Sequence, residues 1–396
     1  MERADVLIIG GGLIGCATAW HLAGGGASVL LVEAGDINSG ASGQNAGSLH
    51  FQMERRFLEN GEALADQAAR IVALNRLAIA EWSGIEGALG VDLHVSRQGG
   101  LMVAETPDQV ALLEAKSRRE ITEGLDTQLL DGAAARTLCP ALGPGVLAAS
   151  YLADEGHADP RAVTPAFARA ALDAGATIAT RSRVRSLERR HGGGFDIRVV
   201  DGQGDHIVHA EQVLIAAGAW TPAICALVNL HMPLFAVALL MNVTERTAPL
   251  LPQLIQHVGR RLSMKQAYAG NILIGGGWPS RLAQRPDGGF DLDARATIIP
   301  ASRSSNLRAA IDIVPRIGTL NLIRSWTGIT TISADQLPIV GGVSRVPGIH
   351  VAAGGSAFTL GPTFARLIAQ AMGGARVAEL DVVSPDRFNH LNSFMG

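Results

Sequence analysis

The chain has 396 residues, 47% of them hydrophobic and 17% charged, enough to bury a large core and to form two domains. Its 33 Lys and Arg against 36 Asp and Glu leave a net charge of −3, which gives no electrostatic case for nucleic acid or an anionic membrane surface. Cys16, Cys139 and Cys225 are scattered and show no C-x-x-C pairing, so neither a disulfide framework nor a zinc site is expected, and a reducing cytoplasm is. The N-terminus enters an apolar run almost at once, leaving no room for a signal peptide, and the longest apolar run, Met232 to Met241, is far short of a membrane span. The expectation is a soluble cytoplasmic protein without a metal site.

The first element is also the most informative. Val6-Leu7-Ile8-Ile9 reads as a buried parallel strand, and Gly10, Gly12 and Gly15 follow in G-x-G-x-x-G spacing. An Ala-rich helix begins inside the glycines, where Leu13 and Ile14 lie between the second and the third. The first glycine permits a tight turn, the second lets a pyrophosphate touch backbone, and the third lets helix and strand pack closely. The helix N-terminus then offers N–H groups and the positive end of its dipole to phosphate. Gly24-Gly25-Gly26 ends the helix, Ser28 to Val32 forms a second strand, and Glu33 stands where an acid hydrogen-bonds an adenosine ribose. Strand, glycines, helix, strand and acid in this order predict an adenine-dinucleotide site. Glu33 argues against NADP, whose 2′-phosphate a carboxylate would repel. Between NAD and FAD this stretch does not decide.

After Ala34 the chain is dense in small residues from Ser39 to Ser48, then reaches Leu49 and His50. Such a run is either a flexible loop or a backbone that lies against a flat polar ligand, where side chains beyond Cβ would clash. A dinucleotide fold followed by G-A-S-x-x-N-A-G resembles the D-amino acid oxidase superfamily of flavoenzymes, which includes glycine oxidase, the sarcosine oxidases and the heteromeric opine and D-hydroxyproline dehydrogenases. Ser42, Asn45, Ala46 and Gly47 carry the match. The resemblance implies that this loop, with Gly43, Ser48 and Leu49, passes along the FAD pyrophosphate and flavin. It adds to the cofactor contacts of Gly10, Gly12, Leu13, Ile14, Gly15, Glu33 and Ala34.

Further along, Leu64, Ala68, Ile71, Leu74, Ala78 and Trp82 fall on one face and predict a long amphipathic helix, with Trp82 a packing residue. Val91 to Ala104 reads as a hairpin around Gln98-Gly99-Gly100. Thr106-Pro107 and Asp159-Pro160 are helix starts. Thr177 to Ala216 alternates like strands, with a turn at Asp201-Gly202, and closes on Ala217, Gly218 and Trp220. That ending resembles the family's strand that returns to the FAD, and Val184 resembles its adenine-side valine. Met232 to about Ile317 is expected to form a separate layer, its best-marked strands Leu262 to Tyr268 and Ile272 to Gly276.

Near the C-terminus come Trp326-Thr327-Gly328, then Asp335-Gln336-Leu337-Pro338, and then the strand, glycine loop and helix of Gly348 to Pro362. All three resemble the superfamily's C-terminal signature, which implies that Gly328, Gly354, Gly355, Ser356, Phe358 and Thr359 approach the flavin. There a helix N-terminus stabilises negative charge on the ring. An NAD dehydrogenase has no need of this second glycine strand, so the cofactor expected is noncovalent FAD.

Flavin chemistry leaves the protein to orient substrate and tune the ring, and accordingly no Ser/His/Asp or paired-carboxylate constellation is visible. Glycine and D-amino acid oxidases carry an arginine after W-x-G-x that clamps the substrate carboxylate. Thr330 stands there, and a hydroxyl cannot replace a bidentate clamp. The heteromeric β subunits also lack that arginine. Pro160 stands where their relatives attach FMN to histidine, so any FMN at a subunit interface is noncovalent. No cysteine follows Cys225, so no C-terminal thioether is formed. Lys265 resembles the lysine placed over flavin N5; the alternative is a solvated strand lysine. His50 is a candidate to face substrate, or else a plain core or surface histidine. Arg55 and Arg56 are candidates to bind a carboxylate, or else a charged surface pair, and Arg324 is read in the same way.

These readings predict an α/β fold with mixed α+β character. A Rossmann-like FAD-binding domain is expected from 1–85, 150–228 and 320–396, with a mixed-sheet substrate domain from 86–149 and 229–319. The function expected is oxidation of a C–N bond in an opine, D-hydroxyproline or sarcosine-type amine. The chain would act as the β subunit, together with an α subunit and a small iron–sulfur subunit, because three spaced cysteines hold no cluster. The alternatives are a stand-alone sarcosine or glycine oxidase that makes peroxide, a flavin-dependent tRNA-modifying protein, and a nonenzymatic flavin scaffold.

Overall fold

A computed structural model describes residues 2–59 and 61–395. Strand β1 (Glu2–Ile9) lies inside an eight-stranded sheet, parallel to β2 (Val29–Val32) on one side and to the strand Gly204–Ile215 on the other. Thr177–Ala179 extends the sheet beyond β2, and Ile349–Ala353 extends it beyond Gly204–Ile215, both parallel to their neighbours. Ile339–Gly342 closes the far edge antiparallel. Three distant stretches of chain therefore build one sheet. Both faces of its centre are covered, which is why its strands are continuous apolar runs; Leu7, Ile8, Leu31, Val213 and Leu214 are all fully buried.

Helix α1 (Leu13–Gly24) is apolar nearly all round, because it packs between β1, the helix Pro160–Asp173 and the helix Gly361–Met372. Its closeness to β1 depends on Gly15, where a β-carbon would collide with the carbonyl oxygen of Gly10.

The second sheet also has eight strands, in the order Leu322–Ser333, Leu234–Arg246, Asn271–Gly275, Ser263–Gln266, Leu254–His257, Gly100–Ala104, Ala148–Leu152 and Gln128–Asp131. All neighbours are antiparallel except Leu254–His257 with Gly100–Ala104. The strand Leu322–Ser333 pairs over its length with Leu234–Arg246. The stretch from 320 to about 335 thus sits in the second sheet rather than with the dinucleotide-binding sheet, a departure from the expected segments. Its alternation of apolar and polar residues suits either sheet, so pattern alone could not place it.

Both helix starts form as expected. The Thr106 hydroxyl accepts from the N–H of Gln109, and the Asp159 carboxylate accepts from that of Arg161. Two local expectations fail. The long helix is two helices, Glu62–Ala69 and Val72–Leu89, because the N–H groups of Arg70 and Ile71 bond three residues back and tighten the chain into a turn. The hairpin over 91–104 does not form. Its first arm is bound elsewhere: Leu93 and Val95 donate to the Glu86 carboxylate, and Ser96 exchanges backbone hydrogen bonds with His157. The second arm, Gly100–Ala104, pairs inside the second sheet.

Candidate functional site

The glycine turn after β1 is a cradle that only bare backbone can make. Gly10 has φ +118°, and a β-carbon there would meet the Ala216 carbonyl. At Gly12, the N-cap of α1, the sole atom a β-carbon would approach within 4 Å is the Ser42 hydroxyl oxygen at 3.0 Å. Gly12 has no side chain to cap the helix, and the N–H of Leu13 donates to Ser42 Oγ at 3.0 Å. Glu33 accepts the N–H of Gly11 at 2.7 Å and that of Gly35 at 2.6 Å, one on each carboxylate oxygen. That fixes the carboxylate beside Gly11 and Ala34 and leaves each oxygen a further lone pair for a ribose hydroxyl. A helix N-terminus that starts on glycine and the anchored acid fit an adenine dinucleotide.

The small-residue loop is a built structure rather than a flexible one. Asn45 binds the loop to itself, donating to the carbonyls of Ala41 and Ser42 and accepting from Gly47. A β-carbon at Gly43 would strike the Asn38 carbonyl, and one at Gly47, where φ is +73°, would strike that of Ala158. Ala46 follows in the same loop, and the buried pair Ser48–Leu49 forms a short strand against Gly156–His157. Val184 is buried at the start of the strand Arg183–Arg189. Ala217 and Gly218 turn the chain at the end of Gly204–Ile215, and the Trp220 indole N–H donates to Asp293 at 3.2 Å.

The C-terminal loops meet this one. Trp326 Nε1 donates to the carbonyl of Gln44 at 2.8 Å, and a β-carbon at Gly328 would touch the Gln44 side chain. Gly354 packs on Pro338 and Gly355 on the Arg56 guanidinium. Ser356, a non-glycine residue at φ +58°, donates to Glu54 at 2.6 Å and accepts from Arg56 at 2.9 Å. Phe358 lies against Trp82, whose indole N–H donates to the carbonyl of Thr359 at 2.7 Å. Thr359 Oγ1 in turn accepts the N–H of His50 at 3.2 Å.

Lys265 lies beside Gly47, and His50, three residues further on, reaches Ser263 on the same strand as Lys265. Lys265 is 2% exposed, which sets aside the solvated alternative. Its Nζ lies 3.3 Å from the carbonyl oxygen of Ala158, and a β-carbon at Gly47 would stand 3.1 Å from it. Burial lowers the Lys265 pKa to about 7, with Asp159 opposing the shift. His50 Nε2 is 3.3 Å from Ser263 Oγ, and its Nδ1 is buried with no hydrogen-bond partner among the described residues. Burial pushes its pKa down, more than the nearby Glu54 carboxylate pulls it up. Ser263 and Lys265 stand two apart on the strand Ser263–Gln266 and so share a face, a pairing that period-2 spacing already contains.

The three arginines separate. Arg56 belongs to the site: its guanidinium donates to the Gln336 carbonyl at 2.6 Å and to Ser356, and pairs with Glu54 at 3.2 Å. Burial raises the Glu54 pKa, but Arg56 and the hydrogen bonds outweigh it and hold the group at about 2. Arg55 pairs with Glu59, and Arg324 is exposed beside Trp326. Thr330 lies opposite Val237 between Gly328 and the end of its strand. Among the described residues no group of three or more His, Cys, Asp or Glu could hold a metal ion, and no helix is long and apolar enough to cross a membrane.

Comparison with known proteins places these features. The family model described as FAD dependent oxidoreductase matches residues 5–371. The opine oxidase B subunit of Rhizobium meliloti is 28% identical over 396 residues, covering 98% of this chain and 99% of that one. The protein of the same name from Agrobacterium tumefaciens (strain Ach5) is 28% identical over 407 residues, with the same coverage. Among solved structures, glycine oxidase from Geobacillus kaustophilus superposes with a TM-score of 0.84 at 25% identity, covering 98% of this chain and 99% of that one.

Proposed function

The chain belongs to the family of FAD-dependent oxidoreductases, and on that premise we propose that it oxidises a C–N bond of a secondary amine or amino acid of the opine, D-hydroxyproline or sarcosine type. In this reading it works in the cytoplasm as the β subunit of a heteromeric dehydrogenase, together with an α subunit and a small iron–sulfur subunit, with FMN at the interface. The observation that carries the reading is the end-to-end match to two opine oxidase B subunits. Thr330 supports it, because the side chain after W-x-G-x offers no bidentate clamp for a simple amino-acid carboxylate.

FAD, when bound, supplies the two-electron acceptor for a hydride leaving the substrate carbon next to nitrogen. The chain's own residues do the rest. The glycine cradle and Glu33 hold the adenine half, and the loops 42–50 and 354–359 hold the other. Lys265, titrating near neutral pH, supplies a positive charge that stabilises negative charge developing nearby. His50, kept neutral by burial, offers its unpaired Nδ1 to the substrate. The substrate loses a hydride and a proton and becomes an imine, which water hydrolyses to a carbonyl compound and an amine.

The deciding experiment is anaerobic bleaching of the flavin absorbance by a panel of opines, sarcosine, D-hydroxyproline and glycine. Bleaching by an opine or D-hydroxyproline, with slow peroxide formation that gives way to faster dye reduction when the α subunit is added, is the expected result. The close superposition on glycine oxidase favours a second reading, a stand-alone oxidase. Rapid stoichiometric peroxide production by the chain alone would promote it.

A further inference from the structure

Immediately after the flavin loop, residues Phe51, Gln52 and Met53 pass through the interior, none more than 2% exposed. They form no regular strand or helix, so their N–H groups need partners from elsewhere. Two carboxylates from different elements supply them. Glu155 Oε1 accepts the N–H groups of both Phe51 and Gln52 at 2.9 Å, and Glu120 Oε1 accepts that of Met53 at 2.6 Å.

The carboxylates are themselves fixed. Gln52 Nε2 donates to Glu155 Oε2 at 2.8 Å. The Lys116 ammonium donates to Gln52 Oε1 at 2.8 Å, to Glu120 Oε2 at 2.7 Å and to Ser150 Oγ at 3.1 Å. Thr127 adds a bond to Glu120 at 2.9 Å. Lys116, Glu120, Ser150 and Glu155 are fully buried. Gly100 makes the room, since a β-carbon there would occupy the place of Glu155 Oε2.

Two acids and one base inside a core are costly to desolvate, and apolar residues of like volume would serve stability as well or better. What apolar residues cannot do is hold three successive N–H groups in one register. That register matters here, because His50 immediately precedes the clamped stretch and Glu54 and Arg56 follow it.

We infer that Glu155 and Glu120, locked by Lys116 and Gln52, are positioning residues that set the 51–53 backbone and through it place His50 on one side and the Glu54–Arg56 pair on the other. The inference rests on the proposed role of His50, but its primary readout needs no substrate.

The test uses the FAD-loaded full chain with its histidines labelled with nitrogen-15. Glu155→Gln keeps the shape but turns an amide donor toward Gln52 Nε2. The exchange E155Q/Q52E restores the match between the two side chains, with the carboxylate now at 52 facing Lys116 and Ser150 and the amide at 155 donating to it, and gives up only the 3.3 Å bond from Gln52 Nε2 to the Gly100 carbonyl. In Glu155→Gln the His50 pKa, depressed in the native chain, is expected to rise toward the solvent value as its segment loosens. The FAD dissociation constant should change less than threefold. With whichever amine bleaches the flavin, kcat should fall at least tenfold with KM little moved. The exchange should return the His50 titration to its native value. An unmoved His50 titration in folded Glu155→Gln would overturn the inference, even if the melting temperature fell. Should Glu155→Gln not fold, the exchange decides: native titration supports the clamp, while a shifted titration or failure to fold shows that the carboxylates serve the fold alone. If no amine bleaches the flavin, the proposed substrate class fails and the titration still stands.

Discussion

The two sheets present the same chemistry-bearing chain under different rules. In the first, function is written in backbone. Gly10 and Gly15 are required because a β-carbon would strike the backbone carbonyls of Ala216 and Gly10 respectively, whereas one at Gly12 would only crowd the movable Ser42 hydroxyl. In the second, function is written in side chains brought from far apart: Ser263 reaches His50 across 213 positions, and Lys265 reaches Ala158 across 107. Backbone demands leave a short local pattern of glycines. Side-chain meetings across sheets leave none.

Gly15→Val should give the largest effect and sharpen that contrast most. The added carbons would meet backbone, which has nowhere to go, rather than a flexible side-chain end. Overpacking of this kind costs about 1–3 kcal/mol, occasionally more; where the strain is carried by the FAD-bound cradle, it lowers FAD affinity by up to roughly a hundredfold. Fluorescence titration of the apoprotein with FAD measures it, and native affinity in the variant would show that α1 can shift away from β1.

Lys265→Met tests the other region. A charge beside a reacting group at an effective dielectric near 20 is worth up to about 4 kcal/mol, so reoxidation of the reduced flavin should slow on the order of a hundredfold, with FAD affinity nearly unchanged. The stability sign is also fixed. The folded pKa of about 7 lies below the ordinary 10.5, so the native chain binds this proton less readily than the unfolded chain does. The resulting penalty is absent above pH 10.5, grows as pH falls, and is complete below pH 7, where it amounts to a few kcal/mol. Met carries no such penalty. The gain in urea midpoint over the native chain should therefore be larger at about pH 6 than at about pH 9, and equal gains at both would contradict a buried Lys265.

Trp82 joins the two regions. Its indole N–H is the donor to the Thr359 carbonyl, and Thr359 receives His50. Trp82→Phe keeps the aromatic packing and removes one buried hydrogen bond, a cost of about 1–3 kcal/mol. The prediction is a lowered melting temperature together with a changed flavin spectrum. A lowered temperature with an unaltered spectrum would make Trp82 packing alone, as its helical spacing suggests.

Legibility follows the same division. The βαβ unit, the Asn45 loop, the strand returning at 213–218 and the final strand, glycine loop and helix could be read because each is contiguous. The segment 91–104 could not, because Glu86 and His157 take its hydrogen bonds. Nor could the strand 322–333, whose partner is chosen by the rest of the second sheet. Lys116 and Glu120, an i,i+4 pair, look like any exposed helix pair in sequence. Nothing in their spacing announces that both are buried beneath residues 52 and 53.

The smallest predicted effect belongs to an arginine that sequence alone could not tell from its neighbours. Arg56 holds the carbonyl of Gln336 and the hydroxyl of Ser356, two non-glycine residues at φ +64° and +58°, and so ties together the 333–337 turn and the glycine loop at 354–356. Arg324 is exposed, with its guanidinium 5.9 Å from the centre of the Trp326 ring. A solvated cation at that distance, near the outer limit of the interaction, contributes about 0.5–1 kcal/mol at most. Arg324→Ala should therefore leave the flavin spectrum and substrate bleaching untouched and shift the urea midpoint by less than Arg56→Ala does. If Arg324→Ala instead raises KM for an anionic amine while Arg56→Ala does not, the carboxylate of the substrate is met at the outer edge of the second sheet, and the division between a backbone half and a side-chain half must be redrawn there.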